Sequence, residues 1–275
     1  MDSSKIKNIL ILVLLLVNAF FLAVLIRDGA EERRSQAETA GELRTILEGV
    51  GITADQDLDF FREAPKKCTL LRDSQAEQRK VGAILGSVTA EDLGGNILYY
   101  SSASGKASLR GTGEMDMIFS GGSIGDGGKP ERAAVRLLNK AGFDVDESSA
   151  SVNASGENSS VTLCFAWEGY PIYNARVCLD YSGGRLQMLT GTRPFDTVSS
   201  TDAGDVMNCV SAVMRFVELV KSDGLICSRL EEVEPGYIMS VEVSGESDLT
   251  PVWKIVTDTG NIYINALTGK TETVQ

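Results

Sequence analysis

The stretch VTLCFAWEGYPIYNARVCLDY, residues 161–181, alternates apolar and polar side chains on either side of a glycine-containing turn. Val161 and Leu163 share one face of the first segment, and Val177 and Leu179 share one face of the second. Period-two alternation indicates half-buried strands, and strands joined by a short turn must be antiparallel. The stretch therefore predicts a β-hairpin with one apolar face.

The sequence on both sides of this hairpin predicts a helix followed by a meander of strands. Pro130 suits the first turn of a helix, and Gly142 suits its end. Ala134 and Leu138 fall on one apolar face of that helix. After the hairpin, the Gly183-Gly184 pair marks a turn into a further strand.

The same order of elements recurs toward the C-terminus. Asp202 suits a helix N-cap, and Val206, Val210 and Val213 begin an apolar stripe at helical spacing. Strands are then predicted at 236–243, 251–257 and 262–266. A helix that covers one face of an antiparallel sheet defines an α+β architecture.

The region before these two units predicts a further one. Its elements are a helix over 27–50 and short strands at 81–85, 96–100, 106–110 and 114–119. The glycine-rich run Ser120–Gly128 indicates a domain boundary. The predicted organisation is a membrane anchor (1–26), a first α+β unit with a helical stalk (27–125), and an α+β domain (126–275) of two repeats, 129–195 and 202–275.

The segment Asn8–Ile26 contains no charged side chain and is flanked by Lys5, Lys7 and Arg27. Its 19 residues would span roughly 30 Å as a helix, the thickness of a bilayer's hydrocarbon core. We therefore expect a single uncleaved transmembrane helix with a cytoplasmic N-terminus and an extracytoplasmic body. Asn18, a polar residue inside the span, could bind a partner helix, or could be tolerated there without a partner.

Composition narrows the function classes. The formal net charge is −12, so the chain is repelled by nucleic acid, which we do not expect it to bind. The sequence contains no histidine, the commonest general base near neutral pH and a common metal ligand. We therefore predict no catalytic residues, no metal site, no cofactor and no small-molecule substrate.

The five cysteines are scattered and form no CxxC motif. If Phe165 pairs with Val177 across the hairpin, Cys164 lies opposite Cys178. Opposed residues have Cβ atoms about 4.5–5.5 Å apart, somewhat more than the roughly 3.8 Å that a disulfide prefers. Cys164 and Cys178 are therefore a candidate disulfide, and two free thiols are the alternative.

Aromatic residues of the hairpin supply candidates for a partner surface, because tyrosine is enriched at interface hot spots. Tyr170 and Tyr173 lie on the predicted turn, where we expect them to be exposed. Trp167 and Trp253 lie on predicted strands with alternating faces and are expected to be core residues.

Several motifs resemble the YycI family, single-pass membrane proteins of Gram-positive bacteria that restrain an essential cell-wall sensor histidine kinase. They are the opening Met1–Lys7 before the apolar segment, the aromatic strand and turn Phe165–Tyr173, and the pair Thr250–Val256 and Asn265–Gly269, which is similar to PepSY-like repeats. Ser3 departs from the family, where tryptophan is common. The resemblance implies tandem PepSY-like units and a partner kinase, and it carries over no catalytic residue.

The resemblance thus predicts a non-enzymatic membrane regulator that binds a sensor histidine kinase of a cell-wall-controlling two-component system, with a YycH-like companion as a further partner. An alternative is a cell-envelope PepSY-type module that inhibits or scaffolds an extracytoplasmic protease or wall-remodelling enzyme. A third is an enzyme that uses carboxylates alone, such as a glycosidase, which would need two carboxylates roughly 5–10 Å apart in a cleft.

Overall fold

The computed structural model describes residues 18, 22, 31, 33–121, 124–125, 127–202, 204–242 and 245–274. The helices are α1 (residues 33–49), α2 (Ser74–Leu85), α3 (Pro130–Lys140) and α4 (Cys209–Asp223). The strands are β1 (Thr53–Ala54), β2 (Cys68–Leu71), β3 (Thr89–Asp92), β4 (Ile97–Ser102), β5 (Gly105–Arg110), β6 (Glu114–Phe119), β7 (Val145–Ser155), β8 (Asn158–Trp167), β9 (Tyr170–Ser182), β10 (Arg185–Thr192), β11 (Thr197–Thr201), β12 (Arg229–Val241), β13 (Glu246–Thr257), β14 (Gly260–Asn265) and β15 (Thr271–Glu272).

All of these strands belong to one large mixed sheet made of two parts. Sheet I is antiparallel, in the order β7-β8-β9-β10-β6-β5-β4-β3. Sheet II contains β11-β2-β13-β12, with β14 and β15 beyond β13 and with β1 beside β12. A single parallel pairing of β9 with β12, Ile172 opposite Tyr237, joins the two parts.

The N-cap of α2 explains why a segment that was predicted to be a strand forms a helix. Asp73 accepts hydrogen bonds from the backbone N–H groups of Gln75 (2.8 Å) and Ala76 (3.1 Å), so α2 begins at Ser74. The segment 81–85, predicted to be a strand, is consequently the last part of α2. Its short apolar run is compatible with a buried helix as well as with a strand. The Asp73 cap favours the helix.

Two hydrophobic cores lie under the sheet. Core I packs α2 and α3 against one face of sheet I, and it buries Val161, Leu163, Val177 and Leu179 as the alternation predicted. Core II packs α1 and α4 against sheet II around the fully buried Trp253. The hairpin faces and the core position of Trp253 are confirmed, whereas Trp167 is half-buried.

The predicted fold class, a transmembrane helix followed by tandem α+β meander units, is wrong. Of the residues that the structure describes, 46% lie in strands, which form a large mixed sheet, and 24% lie in helices. Strand β2, from the predicted first unit, lies between β11 and β13. Leu70 of this strand packs in core I, whereas Leu47 and Phe60 of the same unit pack in core II. Pairing between distant segments therefore replaces the independent units that local patterns predicted.

The predicted transmembrane helix is not found among the residues that the structure describes. In that part of the chain, no helix combines the length and apolar composition needed to cross a bilayer. The predicted span, residues 8–26, lies outside the described residues except for Asn18 and Leu22. Both of these are helical and exposed.

Candidate binding cleft

The junction of the two sheets depends on a glycine and an asparagine. A Cβ atom at Gly236 of β12 would lie 2.5 Å from Tyr173 Cε2 and 2.7 Å from the Pro171 carbonyl oxygen. The Asn174 side chain of β9 donates to the Met239 carbonyl (2.7 Å) and accepts from the Met239 N–H (2.8 Å). Because the amide pairs like a backbone group, it extends the parallel contact beyond one residue pair.

A cavity of about 410 Å³ lies beside this junction, between β7–β9 of sheet I and β12–β14 of sheet II. We call it the junction cleft. It is lined by Asp146, Ser148, Ser149, Cys164, Tyr173, Arg176, Glu232, Glu234, Lys254, Asn261 and Tyr263. A neighbouring groove of about 390 Å³ shares Asp146, Ser148 and Glu234 with it and adds Arg62 and Tyr170 to the lining.

Charged groups in the junction cleft are held by short contacts. Lys254 Nζ lies 2.7 Å from Glu234 Oε2 and 5.5 Å from the centre of the Tyr173 ring. Asp146 Oδ1 accepts from the backbone N–H (3.0 Å) and the hydroxyl (2.6 Å) of Ser148. Arg176 donates its Nε–H to the Tyr173 carbonyl at 3.2 Å. The cleft is thus a preorganised polar surface of mixed charge.

The two predicted tyrosines lie in different places: Tyr173 lines the junction cleft, and Tyr170 lines the neighbouring groove. Tyr173 is buried, contrary to the expected exposure: its ring lies 5.2 Å from the Tyr263 ring, and its hydroxyl donates to the Pro235 carbonyl at 3.3 Å. Tyr170 is half-buried, edge-on to the Tyr237 ring at 6.3 Å. Tyr170 therefore keeps a face for a partner, whereas Tyr173 supports the junction.

The remaining predicted site residues do not come together. Asn18 is exposed and does not line the cleft. Cys164 lines the cleft opposite Arg176, and Cys178 pairs with Thr162. The register assumed for the candidate disulfide is therefore displaced by two residues, and both thiols are free.

The cleft offers binding groups rather than an activated nucleophile. Burial raises the pKa of the Cys164 thiol above its usual value, although Ser149 and Arg176 both favour the thiolate. A reactive cysteine needs the opposite shift. In the described part of the chain, no group of three or more Cys, Asp and Glu side chains is placed to hold a metal ion.

Sequence reasoning missed Gly236, Arg176 and Lys254 as parts of this site. A glycine inside a strand indicates a close approach of another backbone, and this signal could have identified Gly236. The two cations alternate with apolar residues on ordinary strands, where a charged side chain predicts no more than a solvated face.

The buried cysteine thiols and tyrosine hydroxyls predict that the folded protein becomes less stable at alkaline pH. Burial raises the pKa of Cys68 to about 11 and that of Cys209 to about 12, and it raises the pKa values of Tyr100, Tyr173 and Tyr237. In the unfolded chain these groups release protons near pH 9–10, so the unfolded state binds fewer protons above that pH. The free energy of unfolding should therefore fall by at least about 2 kcal/mol between pH 7.5 and 10.5 in urea titrations.

A Cys68→Ala variant serves as the control for this prediction. It lacks one of the buried groups, so its free energy of unfolding should fall less over the same pH range. A flat or rising free energy in the parent protein would contradict the prediction.

Comparisons with known proteins place the chain in no family. No protein-family description and no curated protein sequence matches it. Among solved structures, it is similar to the crystal structure of an uncharacterized protein from Eubacterium rectale ATCC 33656, with a TM-score of 0.49 and 11% sequence identity, over 82% of this chain and 91% of that chain.

Proposed function

We propose that this protein is a non-enzymatic regulator whose body binds a partner protein at the junction cleft and the neighbouring groove. The observation that carries this proposal is the pair of polar cavities at the sheet junction, which share three lining residues; the half-buried Tyr170 lines one and Arg176 lines the other. Aromatic and arginine side chains are the types most enriched among binding hot spots. Both cavities are open and mixed in charge, which suits a protein segment better than a small apolar ligand.

The partner class comes from the sequence motifs shared with the YycI family. It would be a sensor histidine kinase of a cell-wall-controlling two-component system, with a YycH-like companion beside it. The body would lie outside the cytoplasm, next to the membrane that the uncharged segment Asn8–Ile26 indicates.

Crosslinking in intact cells tests this function. Full-length wild type should capture a histidine kinase, and Tyr170→Ala should reduce the captured amount at least tenfold, since loss of a hot spot costs about 2 kcal/mol or more. Tyr99→Ala is the matched control, because Tyr99 is also half-buried on a strand of sheet I but lies outside both cavities. Its capture should equal that of wild type.

Two results would contradict the proposal. Equal capture by wild type and Tyr170→Ala would show that the groove does not contribute to partner binding. Capture of an extracytoplasmic protease or wall-remodelling enzyme without any kinase would favour the envelope-module alternative. Thermal unfolding of both variants confirms that they are folded before the comparison is made.

A further inference from the structure

Arg176 differs from the other cations around the junction cleft. Lys254 is paired with Glu234 at 2.7 Å, and Arg62 is paired with Glu232 at 3.3 Å. None of the ion pairs among the described residues includes Arg176, although the cleft contains three carboxylates. Its strand neighbour on β8 is Cys164, whose raised pKa keeps the thiol neutral near pH 7.

The Arg176 guanidinium is held so that its outer donors remain available. Its Nε–H is used by the Tyr173 carbonyl, and the guanidinium also contacts the Cys164 thiol, a weak acceptor, so N–H bonds of the two terminal nitrogens remain for a stronger acceptor. Two parallel N–H donors match the two oxygens of a carboxylate, so the planar group can bind end-on in a bidentate manner. Because a backbone bond already fixes the side chain, binding costs less conformational entropy than it would for a free arginine.

Charge in the cleft selects the kind of anion. Asp146, Glu232 and Glu234 outnumber the cations Arg176 and Lys254, so a doubly charged phosphate would meet about twice the net repulsion that a single carboxylate meets. A single carboxylate needs only the one unpaired guanidinium. Lining groups such as the Asn261 amide and the Tyr263 hydroxyl offer hydrogen bonds to peptide groups around that carboxylate.

We infer that the junction cleft binds a peptide segment that carries an aspartate or glutamate side chain, and that Arg176 binds its carboxylate. The inference rests on the proposed function, in which this cleft receives the partner. It adds the chemistry of recognition: an acidic side chain on an exposed segment of the partner protein.

The test uses ¹⁵N-labelled full-length protein and N-acetyl-L-glutamate N-methylamide as the probe, at constant ionic strength. The Arg176 Nε–H resonance, assigned by its loss in Arg176→Gln, should shift and saturate as the probe is added. The corresponding glutamine derivative should cause no saturable shift. In Arg176→Gln, the remaining cleft resonances should report at least tenfold weaker binding, with Arg176→Lys in between because lysine keeps the charge but not the fork.

Arg79→Gln is the matched control: it removes the same charge from an exposed position on α2 and should bind like wild type. An unmoved Arg176 resonance, an equal response to the glutamine derivative, or tighter binding of inorganic phosphate would each overturn the inference. The proposed function fails separately, when capture in cells does not depend on Tyr170. A failed probe titration with Tyr170-dependent capture would refute only the role of Arg176.

Discussion

Replacing Glu77 by glutamine should lower the free energy of unfolding by about 3–5 kcal/mol and the melting temperature by roughly 6–20 °C. Glu77 is 1% exposed and receives two guanidinium groups. Arg72 binds both carboxylate oxygens, at 2.6 and 2.9 Å, and the equally buried Arg193 binds Oε1. Glutamine would turn an –NH₂ group toward these donors and remove the carboxylate that the two guanidinium groups share, leaving the buried Arg193 only the longer 3.8 Å contact with Asp196.

The cost is high because this cluster connects distant parts of the fold. Glu77 lies on α2, Arg72 directly follows β2 of sheet II, and Arg193 directly follows β10 of sheet I. Arg72 also donates to the carbonyl of Asn96 (2.6 Å), which directly precedes β4 of sheet I, and to that of Leu109 (3.1 Å) in β5. Weakening the carboxylate therefore loosens a contact that α2 and both sheets share.

Glu114→Gln is the matched control, since Glu114 forms a 2.7 Å ion pair with Arg110 in which both side chains are about half exposed. Water already solvates these charges, so the loss should stay below about 1 kcal/mol. Urea unfolding of both variants provides the comparison. Equal losses for Glu77→Gln and Glu114→Gln would show that the buried carboxylate does not stabilise the fold.

A double variant distinguishes the effect of losing the Glu77–Arg193 ion pair from the effects of losing each residue alone. If Glu77→Gln destabilises mainly by leaving Arg193 buried without its Glu77 partner, then Arg193→Met in the same chain should recover part of the loss. Additive losses in the double variant would instead indicate that the two residues act independently.

Local patterns predicted the hairpin of residues 161–181 but not its register. The expected turn included Tyr170 and Tyr173, whereas the actual turn is Glu168-Gly169, with both residues at positive φ and Trp167 opposite Tyr170. Two positive φ values are typical of the tight turns that match strand twist, but Glu-Gly is not their usual sequence. A bulge between Cys164 and Ala166 then shifts the pairing again, so hydrophobic alternation alone could not position Cys164.

Contacts between distant segments were not predicted, because local sequence patterns carry no signal for them. Glu77 and Arg193 are 116 residues apart, and a charged residue on a helix normally indicates a solvated face. Strand β2 has four residues, too few for alternation to be recognised, yet it lies between β11 and β13. The junction cleft arises from such pairings, so the sequence identified Tyr170, Tyr173 and Cys164 as candidates without bringing them into one site.

Replacing Gly236 by alanine should cost about 1–3 kcal/mol of stability and should also weaken binding at the junction cleft. The added Cβ would overlap the Tyr173 ring on one side and the Pro171 carbonyl on the other, and backbone atoms cannot yield as a flexible side chain can. β9 and β12 would have to separate next to Ile172 and Tyr237, the one backbone pair that joins the two strands.

Gly41→Ala provides the matched control, because Gly41 lies in α1 with no atom within 4 Å of an added Cβ. Alanine is favoured over glycine in a helix, so this variant should be as stable as wild type or more stable by roughly 0.5–1 kcal/mol. Urea unfolding measures both variants. A Gly236→Ala protein of unchanged stability would mean that the junction can widen without cost.

Gly236→Ala should also change the binding site, because Tyr173 lies between Gly236 and Arg176. The Tyr173 ring packs against Gly236, while the Tyr173 carbonyl holds the Nε–H of Arg176. Displacing Tyr173 should therefore release the guanidinium and weaken binding of the capped glutamate several-fold, even where the protein remains folded. If Gly236→Ala is destabilised but binds the probe like wild type, then Arg176 does not depend on the close approach of β9 and β12 for its position.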